Sequence, residues 1–235
     1  MCDNGDSMKK VKTGIKGLDE MLEGGIPEKH HVLVCGGPGT GKTILCMEYL
    51  YRGAEMGEKG LFITLEENPD RIIENMKHAF PKWTKFEKFI NERKIIIEKP
   101  NRYDFKNFSD IFQSYVTVHK VKRAVIDSAT ILKLSFESPM EFRKRLFDFL
   151  SFVTNLDCTV LLTSELSIPF RDKMRFSLEQ FVVDGVIILY SVQRKEKRIR
   201  ALEILKMRGT NHAKDLVPFK ITSNGIVVYK GEKVY

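Results

Sequence analysis

Residues 32–43 read Val32-Leu33-Val34-Cys35-Gly36-Gly37-Pro38-Gly39-Thr40-Gly41-Lys42-Thr43, and Ile44-Leu45-Cys46-Met47-Glu48-Tyr49-Leu50 follows directly. A short apolar run of strand character enters a glycine-rich turn, and a helix-forming stretch leaves it. From Gly36 to Thr43 the spacing is G-x-x-x-x-G-K-T, the pattern of a loop whose backbone amides converge on phosphate oxygens. Glycine is needed there wherever a side chain would block that approach or the backbone requires positive φ. On this reading Gly37, Pro38, Gly39, Thr40, Gly41 and Ile44 line a site for ATP. Lys42 reaches the β- and γ-phosphates, and the Thr43 hydroxyl ligates Mg²⁺. A helix beginning at Thr43 turns its N-terminus, with its partial positive charge, toward the phosphates.

Away from the loop, apolar runs rich in β-branched residues alternate with longer amphipathic stretches, which predicts an α/β fold with a mainly parallel central sheet flanked by helices. Candidate strands are Val32–Cys35, Leu61–Leu65, Ile95–Ile97, Ala124–Ile126, Thr159–Thr163 and Val186–Tyr190, apolar enough to be covered on both faces. After Pro139, Phe142, Leu146, Phe149, Leu150, Val153 and Leu156 recur at helical spacing and predict a core-packing helix. Beyond Tyr190, Val186–Val192 and Ile199–Met207 flank the charged run Arg194–Arg198, and Ile226–Tyr229 follows the turn Asn224-Gly225. This predicts a C-terminal antiparallel extension of the sheet with a solvated hairpin tip at residues 194–200.

With 235 residues, 43% of them hydrophobic, the chain suffices for one α/β domain over residues 11–235 behind a disordered polar tail at 1–10. It contains no run of about 18 apolar residues, and the first ten lack the apolar centre of a signal peptide, so a soluble cytoplasmic protein without membrane contact is expected. Cys2, Cys35, Cys46 and Cys158 form no metal-binding or C-x-x-C spacing, and three of them sit in apolar runs as small hydrophobes. His30, His31, His78 and His119 are read as surface or loop residues, and Trp83 as a packing residue. A net charge of +8 suits a polyanionic partner without specifying one.

A triphosphatase needs a carboxylate near its metal at the end of a strand beside the loop, and Ala124-Val125-Ile126 leads into Asp127, the candidate Mg²⁺ residue. It also needs a group that orients or deprotonates the attacking water. Leu61-Phe62-Ile63-Thr64-Leu65 ends in Glu66-Glu67; neighbours on a strand face opposite ways, so only one of the two can face the γ-phosphate unless the strand has already ended, and Glu66 is chosen as base with Glu67 as its support, alongside Lys42. Ser164-Glu165 ends another strand and offers groups able to sense a γ-phosphate. Residues 164–177 mix Arg171, Lys173 and Arg175 with Phe170 and Phe176, a composition suited to single-stranded nucleic acid.

Assembled in order, these residues resemble the single-domain ATPases of the KaiC family, within the RecA/RadA superfamily, from Val11 to Tyr229. The matching segments are Thr13-Gly14-Ile15-Lys16-Gly17-Leu18-Asp19 with Gly24-Gly25-Ile26-Pro27, the loop at Gly36, Glu66-Glu67, Asp127-Ser128, Val183-Asp184-Gly185-Val186, and Glu203-Ile204-Leu205-Lys206-Met207-Arg208-Gly209-Thr210. The resemblance implies a RecA-like fold and a homohexameric ring with ATP between subunits. It makes Lys206 and Arg208 fingers on the neighbour's γ-phosphate, with Met207, Thr210 and His212 beside them. Two residues apart on a strand, Lys206 and Arg208 project to one side, as cations sharing a phosphate must. Where the clock proteins' phosphorylating domain carries a Ser-Thr pair, this chain has Gln180-Phe181, so autophosphorylation is not expected. Two further readings accompany the ring-forming ATPase: a RecA-like DNA-binding ATPase, and a nucleotide-gated scaffold with little turnover for an unidentified protein partner.

Overall fold

A computed structural model describes residues 8–101, 104–166, 177–194 and 197–234. β1 (Lys10–Val11) pairs antiparallel with β2 (Ile26–Pro27) around the short helix α1 (Leu18–Met21). Lys10, assigned to the tail from sequence, is thus the first residue of a strand. The Asp19 carboxylate closes the turn before α1 by accepting from the Thr13 and Gly14 amides at 2.7 and 3.0 Å.

The main sheet contains β3 (His31–Gly36), β4 (Gly60–Thr64), β5 (Ile95–Glu98), β6 (Arg123–Asp127), β7 (Thr159–Glu165), β8 (Gly185–Arg194), β9 (Lys197–Met207), β10 (Val217–Thr222) and β11 (Gly225–Val228). Their spatial order is β11-β10-β9-β8-β3-β7-β6-β4-β5, nine strands in all. From β8 to β5 every pairing is parallel; β9, β10 and β11 add antiparallel strands. Each candidate strand lies within one residue of an observed start. The antiparallel extension is present, and residues 195–196, between β8 and β9, lie outside the described residues.

Side chains alternate along each strand, so the sheet divides two cores. Val32, Val34, Phe62, Leu161, Ile187 and Leu189 face one layer, which contains α2 (Lys42–Glu55), α3 (Pro69–Ala79) and α4 (Phe86–Asn91). Leu33, Cys35, Leu61, Ile63, Val160, Leu162, Val186 and Ile188 face the other, which contains α5 (Phe105–His119), α6 (Ala129–Lys133) and α7 (Pro139–Thr154). Trp83 packs as expected: its ring stacks at 4.3 Å on Phe80 and 4.7 Å on Tyr51, and its Nε1 donates to the Asn224 carbonyl. Full burial of an apolar side chain of this size contributes roughly 1.5–3 kcal/mol. In α7 the expected stripe Phe142, Leu146, Phe149, Leu150 and Val153 is buried, whereas Leu156, expected to continue it, lies half-buried just past the helix end. Helix starts follow capping chemistry, with Asn68 before Pro69, Asp104 before Phe105 and Ser138 before Pro139, each accepting a hydrogen bond from a first-turn amide.

Two buried charges tie the layers together. Arg123 pairs with Glu58, donates to the Tyr49 carbonyl at 3.1 Å and lies over the Tyr49 ring. Gly53 is required beneath it, since a Cβ there would come within 2.4 Å of Arg123 Cδ. On α2, Glu48 accepts from the Ile226 amide at 2.6 Å and from Arg52, fastening that helix to β11. Among the described residues, no helix is long and apolar enough to cross a membrane. Cys35, Cys46 and Cys158 are buried and unbridged, and burial pushes the Cys35 and Cys158 thiols up to about 12.

Burial outweighs the Ile226 amide and Arg52 at Glu48 and raises its carboxyl to about 7. The native state then binds more protons than the unfolded chain, so this residue's contribution to stability declines as pH rises from the ordinary carboxylate range through about 7. Glu48→Gln is expected to flatten the fall in melting temperature between about pH 5 and pH 8; an unchanged slope would contradict this assignment.

Candidate functional site

The loop between β3 and α2 has the conformation its glycines permit. Gly39 and Gly41 take φ of 71° and 104°. A Cβ on Gly36 would lie 2.6 Å from the Leu189 carbonyl oxygen and 2.7 Å from Thr40 Oγ1. The Thr40 hydroxyl donates back to the Gly37 carbonyl at 2.8 Å, while Pro38 and Gly39 lie exposed on the crest. Lys42, the first residue of α2, folds its ammonium over the Gly36 and Gly37 carbonyls at 3.0 and 3.1 Å. Ile44 is half-buried against the core below.

Thr43 and Asp127 meet across the gap between β3 and β6, with Thr43 Oγ1 donating to Asp127 Oδ2 at 2.9 Å. The Thr163 hydroxyl, on the intervening β7, donates to Asp127 Oδ1. Burial raises the Asp127 pKa; the hydrogen bonds from Thr163 and Thr43 oppose that shift and the charge on Glu66 adds to it. Two hard oxygen donors, one hydroxyl and one carboxylate, sit beside an amide-lined loop, which is a donor set that fits Mg²⁺ carrying phosphate and water ligands.

β4 ends at Thr64, one residue earlier than expected, so strand alternation does not govern the two glutamates. The Thr64 hydroxyl accepts from the Glu67 amide at 3.1 Å and holds the bend. Ser128 Oγ donates to Glu66 Oε1 at 3.0 Å and directs that carboxylate toward the Asp127 strand, while both glutamates remain exposed. At the end of β7, Ser164 is buried and the Glu165 amide donates to Thr130.

Lys206, Met207 and Arg208 lie elsewhere. Gly36 is level with Leu189, which faces Leu202, whereas Val32 is level with Gly185, which faces Met207. At about 3.3 Å per residue, the cations therefore lie roughly 13 Å along the strands from their own loop, at the opposite edge of the sheet. There Arg208 pairs with Asp184 at 3.1 Å, and Lys206 donates to the Gln180 and Val183 carbonyls. Burial, then the nearby Arg208 charge, lowers the Lys206 pKa. Met207 is buried under Gly185. Thr210 meets Lys10 Nζ at 2.6 Å, and His212 is buried with its Nδ1 at 2.8 Å from the Ala213 carbonyl. Thr210 thus adjoins the N-terminal segment, also meeting Glu23 at 3.1 Å, rather than this chain's loop.

Two residues were misjudged from sequence. His31 is no surface or loop residue: it opens β3, is only 4% exposed, and places Nδ1 3.2 Å from Asp184. Burial pushes the Asp184 pKa up, but the His31 hydrogen bonds and charge outweigh it and hold the carboxyl well below its usual range. Arg200, read as part of a solvated tip, reaches back to the Gly39 carbonyl at 3.4 Å. The signal for Arg200 lay in the hairpin register, since its partner Ser191 sits two residues beyond the one level with Gly36. Phe170, Arg171, Lys173, Arg175 and Phe176 lie outside the described residues.

The family model for the KaiC ATPase matches residues 11–233. The chain belongs to the KaiC family of ATPases. A UPF0273 protein of Thermotoga maritima is 35% identical over 96% of this chain and 98% of its own length. The UPF0273 protein of Methanocaldococcus jannaschii is 37% identical over 94% and 97%. The circadian clock oscillator protein KaiC of Nostoc is 34% identical, but the match over 96% of this chain spans only 45% of that protein. Among solved structures, a KaiC-like protein from the hyperthermophilic archaeon Pyrococcus horikoshii superposes with a TM-score of 0.83 at 38% identity, over 94% of this chain and 99% of that one. KaiC-family membership and the RecA-type sheet thus agree with the resemblance carried by the loop and the C-terminal motif.

Replacing Thr163 with Val removes one of the two hydroxyls that stabilise the ionised Asp127. The titration midpoint of Asp127, followed by carboxyl-carbon NMR, is expected to rise further; a midpoint that stays put or falls would contradict this account of the site.

Proposed function

We propose that the chain binds Mg-ATP and hydrolyses it at a site shared by two copies. The observation that carries this reading is the separation of the loop from Lys206 and Arg208 by the length of the sheet. Cations placed there do not reach their own phosphate, whereas a head-to-tail neighbour brings them to the next subunit's loop. Such contacts repeat from copy to copy and close into a ring, hexameric as the family resemblance implies.

In the shared site the loop amides from Gly37 to Thr43 and the Lys42 ammonium hold the phosphate oxygens. Thr43 and Asp127 would hold the metal, which when bound draws charge from the β- and γ-phosphate oxygens. Glu66, oriented by Ser128, accepts a proton from water as that water attacks the γ-phosphorus; the bond to the β-phosphate oxygen breaks and ADP leaves. Glu67 supports the acidic rim. Lys206 and Arg208 of the neighbour meet the charge that develops on the transferring group, with Thr210 and His212 holding the strand end from which they project. The output is a nucleotide-dependent change of assembly or docking. The tandem architecture and autophosphorylation of the clock proteins are not part of this proposal.

Two experiments test it. Glu66→Gln is expected to lower phosphate release at least about 100-fold while nucleotide binding persists; unchanged turnover would remove Glu66 as the base. Lys42→Ala and Arg208→Ala should each be inactive alone, yet a 1:1 mixture assembled together should regain roughly a quarter of wild-type turnover, because each interface draws its halves from different copies. A mixture no more active than its components would overturn the shared site.

A further inference from the structure

Helix α7 presents two stripes. Its buried one packs the core, but Met140, Arg143, Lys144 and Phe147 recur at i, i+3, i+4 and i+7 and therefore share a different face. Met140 is 63% exposed and Phe147 57% exposed, an uncommon placement for two large apolar side chains on one stripe. Phe181, 56% exposed, and Val182 of the short helix α8 (Leu178–Val182) continue this surface, and Arg208 borders it. Together they line a shallow cavity of about 340 Å³.

We propose that this surface seats a second copy of the chain, which meets it with the acidic rim of its own nucleotide loop. The inference rests on the shared-site reading and specifies the surfaces that make the interface. Three cations, Arg143, Lys144 and Arg208, border the apolar patch. The exposed rim beside the loop carries Glu66 and Glu67, followed on the first turns of α3 by exposed Asp70 and Glu74. A symmetric face-to-face pairing of the patch would set cations against cations. A head-to-tail pairing sets them against carboxylates and brings Arg208 toward the neighbour's loop in the same movement. The apolar stripe supplies the area removed from water, and the charges fix direction and register.

The test uses the full chain, with light scattering at several protein concentrations in ATP and Mg²⁺. Phe147→Glu is expected to raise the concentration needed for assembly by about tenfold or more and to lower turnover in parallel, while nucleotide binding by the isolated subunit and its melting temperature stay near wild type. Arg143→Glu with Lys144→Glu, which leaves the buried stripe of α7 intact, is expected to weaken assembly as well, and addition of Asp70→Lys and Glu74→Lys to restore it. If wild type itself stays monomeric with ATP, the shared-site reading fails and this surface with it. If wild type assembles and Phe147→Glu assembles equally well with equal turnover, the surface is wrong and the shared site stands. An assembly restored by no charge reversal would exclude the acidic rim as the partner face.

Discussion

Parallel pairing of β3 with β7 on one side and β8 on the other is the constraint from which the remaining geometry follows. In parallel strands every carboxyl end emerges on the same edge, so the loop after Gly36, Asp127 at the end of β6, Thr163 on β7 and the bend after Thr64 are delivered to one place. The antiparallel turn from β8 into β9 has the opposite effect. It returns the chain to the amino edge, and Lys206 and Arg208 finish beside Asp184 and the beginning of β3. The same sheet therefore gathers the loop, Thr43 and Asp127 at one edge and carries Lys206 and Arg208 away from them.

Asp127 is where local chemistry concentrates. It lies nearly enclosed, and its carboxylate is held by two hydroxyls rather than by a cation, so burial prevails and its pKa stays high. Asp184, at the other edge, also loses water but gains His31 and Arg208, and its pKa falls. Two aspartates, one ending a strand and one preceding a strand, thus differ because of partners brought by tertiary structure. The first is left suited to a divalent cation; the second already has its cations.

Much of this was legible in the sequence because the signals were local. Apolar runs marked the starts of the parallel strands to within a residue, the glycine spacing marked the loop, and Pro139 with its following stripe marked α7. What escaped depended on distant partners. Nothing near His31 announces that Asp184, 153 positions later, will close over it. The end of β4 at Thr64 is set by the Thr64 hydroxyl turning back to Glu67, a side-chain bond that competes with the strand and leaves the hydrophobic pattern unchanged. The two stripes on α7 share one sequence pattern, and only packing distinguishes the stripe that meets the sheet from the one that does not.

The separation of the loop from Lys206 and Arg208 along the strands has, under the proposed shared site, a consequence at the level of mass action. On the proposed shared-site reading, a subunit whose phosphate loop and whose Lys206 and Arg208 lie at opposite ends of the strands is incomplete when alone, however well it folds. Catalytic capacity then becomes a property of subunit concentration, rising more steeply than in proportion to the amount of protein present and vanishing on dilution. Abundance itself would act as the on-switch, with no separate inhibitor required.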